Sequence, residues 1–360
     1  MFEVPSYRAP TAYPWELPLS TRLQMLRRED RRVAYFYESA NTSSFRYRAF
    51  NMAEAVNQHL SGVSASWFYA SDRQALAAVA AEVEVLVVCR AQFTAELAGL
   101  VALARANGAR IIYDTDDLIF DVHFTQTLIQ TIDTYNASSP ATKEATWNHW
   151  FGLIGRHGAA LELADEAIAT NEYLAERIKH FIDIPTHVVP HFMGNDQCDY
   201  SKSLVRRREL LGGRRDEFLD VGYFSGTPTH NKDFSIASGA VARLMRRDPR
   251  IRLRLVGFLN VSNSELAGLE DRIVRTPLVS YLELQRLIAM TEVNIAPLQD
   301  NVFTNCKSEL KYFDAGAVAV PTLASPTYTM SQAIDSGDTG LLVPDDHWDD
   351  ALGLVVSDYD

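Results

Sequence analysis

The chain has 360 residues, 47% of them hydrophobic and 22% charged, and a formal net charge of −12. This length calls for two domains rather than one core, and the composition is that of a folded globular protein. The acidic balance excludes a general nucleic-acid binder, which needs a basic footprint, and no apolar run reaches the ~18–20 residues of a membrane span.

The N-terminal stretch MFEVPSYRAPTAYPWELPLS has no signal-peptide apolar core. Cys89, Cys198 and Cys306 are far apart and odd in number, which gives no disulfide framework or zinc pattern. A reducing cytosol is the simplest compartment for them. Residues 1–31 read as an arm with a short basic helix, TRLQMLRREDRR. Its arginines Arg22, Arg27, Arg28, Arg31 and Arg32 either pack and pair or make a peripheral contact with acidic lipid headgroups.

Residues 32–195 alternate strand and helix, as a parallel doubly wound sheet requires. Val33–Tyr37 is the first strand. The polar loop ESANTSSFRYR follows it, with a helix from about Tyr47 to Leu60. The carboxyl end of such a strand is a ligand position, but no GxGxxG is present. Arg46 and Arg48, two positions apart, cannot share a helix face, so one is expected at the acceptor side of a cleft. Further strands are expected at Ser64–Ala70, Val83–Cys89 and Arg110–Tyr113. The fourth strand ends in YDTDDLIFD, where Asp114, Asp116 and Asp117 meet in one turn. Three such acids could hold a divalent cation, cap a turn, or line a cleft. Residues 121–163 read as helices rich in aromatics and histidine, and Ala164–Ala169 and Thr186–Pro190 as the closing strands.

Residues 196–216 are polar and charged and read as the linker. Residues 217–360 then form the second α/β domain. Leu219–Phe224 leads into SGTPTHNKDF, a tight loop containing Gly226, Thr227, His230 and Lys232 before a helix from about Phe234. The stretch VNIAPLQDNVFTNCKSELKYFDAGAVAVPTLAS (293–325) reads as strand, polar loop, helix, strand. Ser308 is placed to cap that helix, and Lys307 and Lys311 add cations where free N–H groups and the helix dipole favour anions. An ordinary connection with solvated lysines is the plain alternative.

DAGAVAVPTLAS (314–325) resembles the EAMAxGxPVVAS signature of retaining GT-B glycosyltransferases of family 4. FTNCKSELKYFD is similar to a polysaccharide-assembly branch of that family with a KSELK motif. The resemblance implies two Rossmann-like domains facing a cleft. It places Asp314 on the nucleotide ribose, and Gly226, Thr227, His230, Lys232, Lys307 and Ser308 around the donor diphosphate. Asn305, Cys306 and Glu309 fall at the donor sugar, and Asp116 and Asp117 line the cleft as the catalytic acids. The sequence departs from the family pattern at three positions. Ala319 stands for its glycine, Cys306 for its first glutamate, and Thr227 for its phosphate-binding arginine. The terminal helix that usually crosses back onto the first domain is not evident.

The implied activity is transfer of a sugar from a nucleotide-diphosphate donor to a glycan or lipid-linked acceptor, with retention and no metal or other cofactor. The setting would be cytoplasmic surface-polysaccharide assembly, at or near the inner face of the membrane. Three alternatives stay open: a GT-B relative such as a sugar-nucleotide epimerase, a metal-dependent transferase using the 114–117 acids, and a non-catalytic partner subunit.

Overall fold

The computed structural model describes residues 13–41, 43–132, 140–210, 217–226, 230–257, 259 and 264–357. Among these residues, twelve strands form two six-stranded sheets, and every pairing is parallel. The first sheet contains β1 (Arg31–Tyr37), β2 (Val63–Tyr69), β3 (Val85–Cys89), β4 (Arg110–Thr115), β5 (Glu166–Ala169) and β6 (Thr186–Val188). Its order is β2-β1-β3-β4-β5-β6. The second contains β7 (Leu219–Ser225), β8 (Ile251–Gly257), β9 (Ile273–Thr276), β10 (Val293–Ala296), β11 (Thr322–Ala324) and β12 (Leu341–Leu342). Its order is β12-β11-β10-β7-β8-β9. The expected α/β architecture of two Rossmann-like domains is therefore present.

The unbroken apolar run of β3 follows from its place inside the sheet, where helices cover both faces. The helices begin where short polar side chains stand. Thr94, Asn171 and Ser280 accept bonds from Leu97, Leu174 and Glu283 N–H and start helices Ala95–Ala106, Glu172–Phe181 and Tyr281–Ala289. Each sheet reverses its strand order once, between β1 and β3 and between β7 and β10. Ligands bind in α/β sheets at the carboxyl ends of strands beside such reversals. Gly257 closes β8 with φ +95, and a Cβ there would lie 1.7 Å from the Ser225 carbonyl oxygen, so the ends of β7 and β8 approach closely only through glycine.

Several expected boundaries shift. Residues 196–210 of the expected 196–216 linker lie in helix Asn195–Leu210. Gln197, Ser201 and Leu204 are buried at i, i+4, i+7 spacing, a face that the polar composition conceals. Leu204 packs with Phe224, Val256 and Leu287 of the second domain. The expected helix at 47–60 opens as a π-helical turn, Arg46–Phe50, and continues as Asn51–His59. The helix after β7 starts at Asn231, three residues before Phe234. The last described helix, Trp348–Ser357, packs into the second domain and pairs Asp349 with Arg243.

The basic arm helix is Leu19–Leu26. Arg22 is buried against Asp72, Arg27 and Arg32 both meet Glu82, and Arg31 meets Glu84. Four of the five arginines in TRLQMLRREDRR are thus paired with acids. No helix among the described residues is long and apolar enough to cross a membrane.

Candidate active site at the seam between the two sheets

The carboxyl ends of β3 and β4 and the loop after β10 meet at one seam. Arg90 directly follows β3 and holds φ +44, a left-handed conformation that costs a non-glycine residue roughly 1–2 kcal/mol. Its guanidinium reaches Asp116 at 2.8 Å, Asp117 at 3.0 Å and the Ser44 hydroxyl at 2.8 Å. Burial works against the Asp116 carboxylate, but Arg90 and then His191 outweigh it and hold its pKa below the usual carboxylate range. Asp117 also faces Lys307 of the second domain, with 3.4 Å between Nζ and Oδ1. The two expected catalytic acids are thus brought together, each on a cation.

Asp114 does not join them. It lies beneath the seam in a two-bond pair with Arg48, at 2.7 Å for each bond. Arg48 also donates to the Val189 carbonyl at 2.7 Å and is fully buried, which removes it from the expected acceptor surface. Arg46 is also buried: it donates to Gln197 Oε1 at 2.6 Å and lies over the Tyr281 ring, so its place is the domain junction rather than an acceptor face. Among the described residues, no group of three His, Cys, Asp or Glu is placed to hold a metal ion. The acidic turn that suggested one is occupied by guanidinium and ammonium groups.

His191, which the sequence analysis passed over, joins the two domains. Its Nδ1 lies 3.0 Å from Ser308 Oγ and its Nε2 3.8 Å from Asp116 Oδ2. Nε2 is buried and has no hydrogen-bond partner. Burial drives its pKa down to about 3 against the pull of Asp116, so the imidazole is neutral near pH 7. Ser308 therefore faces His191 and caps nothing. The following helix, Leu310–Gly316, has Glu309 at its N-cap position with no side-chain cap bond.

The expected phosphate cations are present but engaged. Lys232 Nζ reaches across to the Gln130 carbonyl at 2.5 Å and the Ile132 carbonyl at 3.4 Å. Lys311 Nζ donates to the Phe224 carbonyl at the end of β7 and lies 4.8 Å from the Tyr223 ring centroid. Burial lowers the Lys311 amine to about 8, although Asp233 opposes the shift. His230 pairs with Asp233 at 2.9 Å, and burial lowers its pKa. Gly226 is exposed at the end of β7, and Thr227 lies outside the described residues.

Asp314 is buried, and its Oδ1 accepts from Gln197 at 3.0 Å and Gln285 at 3.1 Å. Burial raises its pKa to about 6, with Arg46 the largest opposing influence. Asn305 is held by Asp300 at 2.9 Å and accepts from the Tyr328 N–H at 2.7 Å. Cys306 is fully buried, packs with first-domain residues, and its carbonyl accepts from Asn171 at 2.8 Å. Its thiol is pushed up to about 12, chiefly by burial. Neither side chain offers a ready donor-sugar contact, and Glu309 lies one residue from the helix start. Arg90, His191, Gln197 and Gln285 are the seam residues that sequence reasoning missed. Arg90 and His191 follow strands β3 and β6 closely, and a search of strand ends would have singled them out.

Residues 219–357 match the family described as "Glycosyl transferases group 1". No curated protein matches the sequence. Among solved structures, HepE of Anabaena, in complex with UDP and glucose, is 12% identical with a TM-score of 0.58, over 91% of this chain and 89% of that one. A glycosyltransferase of Rickettsia africae is 12% identical with a TM-score of 0.54, over 91% and 87%. WaaG, a glycosyltransferase involved in lipopolysaccharide biosynthesis, is 13% identical with a TM-score of 0.52, over 90% of each chain. At such identities the likeness is one of fold. The chain has the GT-B fold, and its second domain carries the glycosyl transferases group 1 match.

Proposed function

We propose that the protein is a glycosyltransferase that moves a sugar from a nucleotide-diphosphate donor to a glycan or lipid-linked acceptor, with retention. The observation that carries this reading is the group 1 match over 219–357 in a molecule whose two sheets face one seam. The setting we favour is cytoplasmic glycoconjugate assembly; the fold likeness to WaaG, a glycosyltransferase of lipopolysaccharide biosynthesis, supports the glycoconjugate part.

Departure of a nucleoside diphosphate needs positive potential where negative charge develops. In this reading Lys307, Lys232 and Lys311 supply it, with Gly226 leaving space beside the β7 end. His230, Thr227 and Ser308 complete the diphosphate surroundings, and Asp314 takes the ribose hydroxyls. Asp116 and Asp117 orient sugar hydroxyls or stabilise the cationic sugar. The donor must draw Lys307 from Asp117 and Lys232 from the Gln130 carbonyl, so binding and domain movement are linked. Closure around the donor excludes water that would hydrolyse it.

Release of nucleoside diphosphate from a panel of nucleotide sugars, followed chromatographically, tests the reading. We expect release from one donor class, and Lys307→Ala should weaken that donor by about ten-fold or more, the scale of a lost charge-assisted bond. Unchanged donor affinity in the variant would remove Lys307 from the phosphate site. One observation favours a non-catalytic partner subunit instead: Cys306, where the resemblance has a glutamate, is fully buried. Nucleotide binding without release would support that second reading.

A further inference from the structure

Beside the 305–307 loop stands a cluster that the reading above leaves unused. Helix Glu172–Phe181 of the first domain presents Tyr173 and Arg177, one turn apart. The Tyr173 ring crosses the seam to Tyr328, with centroids 5.3 Å apart at 47°. The Arg177 guanidinium lies over Tyr173, 5.4 Å from the ring centroid. Tyr328 is tied to the donor loop through its N–H bond to Asn305, and the next residue, Thr329, donates to the Lys307 carbonyl at 2.7 Å. Arg177 and Lys307 both lie close enough to Cys306 to act on its thiol.

The Arg177 Nε is buried without a hydrogen-bond partner. The acid nearest the guanidinium is Glu176, 4.0 Å away and 60% exposed, too loose to satisfy it. The Arg177 side chain keeps 25% of its surface exposed, so it is a poorly neutralised cation that a ligand oxygen can approach. The planar fork of a guanidinium matches the two oxygens of a carboxylate or phosphate. The crossed tyrosine rings provide an apolar face of the kind that lines small-molecule sites. Asn305 and Cys306 are already engaged, so a sugar at this corner would find its charged contact in Arg177.

We propose that Arg177, stacked on Tyr173 beside Tyr328, forms a subsite for a sugar unit that carries a negative charge, either a carboxylate or a phosphate. The inference rests on the reading of the seam as a sugar site, and it adds that the donor or acceptor sugar is anionic.

Ligand-observed NMR titrations with methyl glucuronide, glucose 6-phosphate and neutral methyl glucoside test it. The wild-type protein should bind at least one anionic sugar about ten-fold more tightly than the glucoside, and the stronger of the two identifies the oxyanion. Arg177→Met should abolish the preference at an unchanged unfolding midpoint, and Arg177→Lys should keep part of it. Absence of any preference in the wild type, or its survival in Arg177→Met, would overturn the subsite. Failure of the glycosyltransferase reading would show separately, as a wild-type protein that responds to no nucleoside diphosphate.

Discussion

Asp314 shows how a single buried carboxyl can carry a cost to stability. Its carboxyl is buried between two glutamines, and its folded pKa of about 6 lies above the value near 3.9 of an unfolded chain. The folded protein therefore binds this proton more tightly than the unfolded chain does. Its contribution favours folding below about pH 4 and is lost as pH rises through about 6. Asparagine has the same shape and can accept both glutamine bonds without becoming charged. Asp314→Asn should stabilise the protein by about 2 kcal/mol at pH 7.5 and by little at pH 4, as read by urea unfolding at the two values. A gain that does not change with pH would show that the surroundings do not raise the pKa of this carboxyl. In the proposed reaction the same variant should lose nucleotide affinity, since the ribose would meet a weaker acceptor.

At the scale of elements, the turn after helix Leu310–Gly316 explains one departure from the family pattern. Ala319 holds φ +55, where the resemblance has glycine. The alanine keeps the turn at a cost of about 1 kcal/mol, and Ala319→Gly should recover a comparable amount in equilibrium unfolding. A loss of stability there would mean that the alanine methyl packs more usefully than the backbone strains. The alternation of apolar strands with capped helices made both sheets legible in the sequence, because that periodicity is local. Helix Asn195–Leu210 was not legible. Its buried face is Gln197, Ser201 and Leu204, and two of those three are polar residues that bury by bonding to Asp314 and Gln285. The same limit applied to the site. Lys307 and Asp117 could be picked out by type, but nothing local signals that they pair across 190 positions. Ser308 looked like a cap from its place before a helix, and its actual partner, His191, comes from the other domain.

For the whole molecule, the two domains are densely bonded along the seam. Gln299 and Asn301 of the second domain bond to Thr131 of the first at 3.0 Å each, and Phe303 and Cys306 pack into first-domain core. Tyr281 and Leu282 pack with Trp15, Phe45 and Phe50 at the other side. First-domain oxygens engage Lys307 and Lys232, and the second-domain Phe224 carbonyl engages Lys311, so a diphosphate bound there would exchange one set of oxygens for another. A thermal-shift screen against UDP, GDP, ADP, CMP and dTDP, with and without magnesium, reads this exchange directly. A ligand at about 100 times its dissociation constant adds ~2.7 kcal/mol of stability. The account predicts that one nucleoside diphosphate raises the unfolding midpoint without magnesium. A response that requires magnesium, or none to any nucleotide, would contradict it.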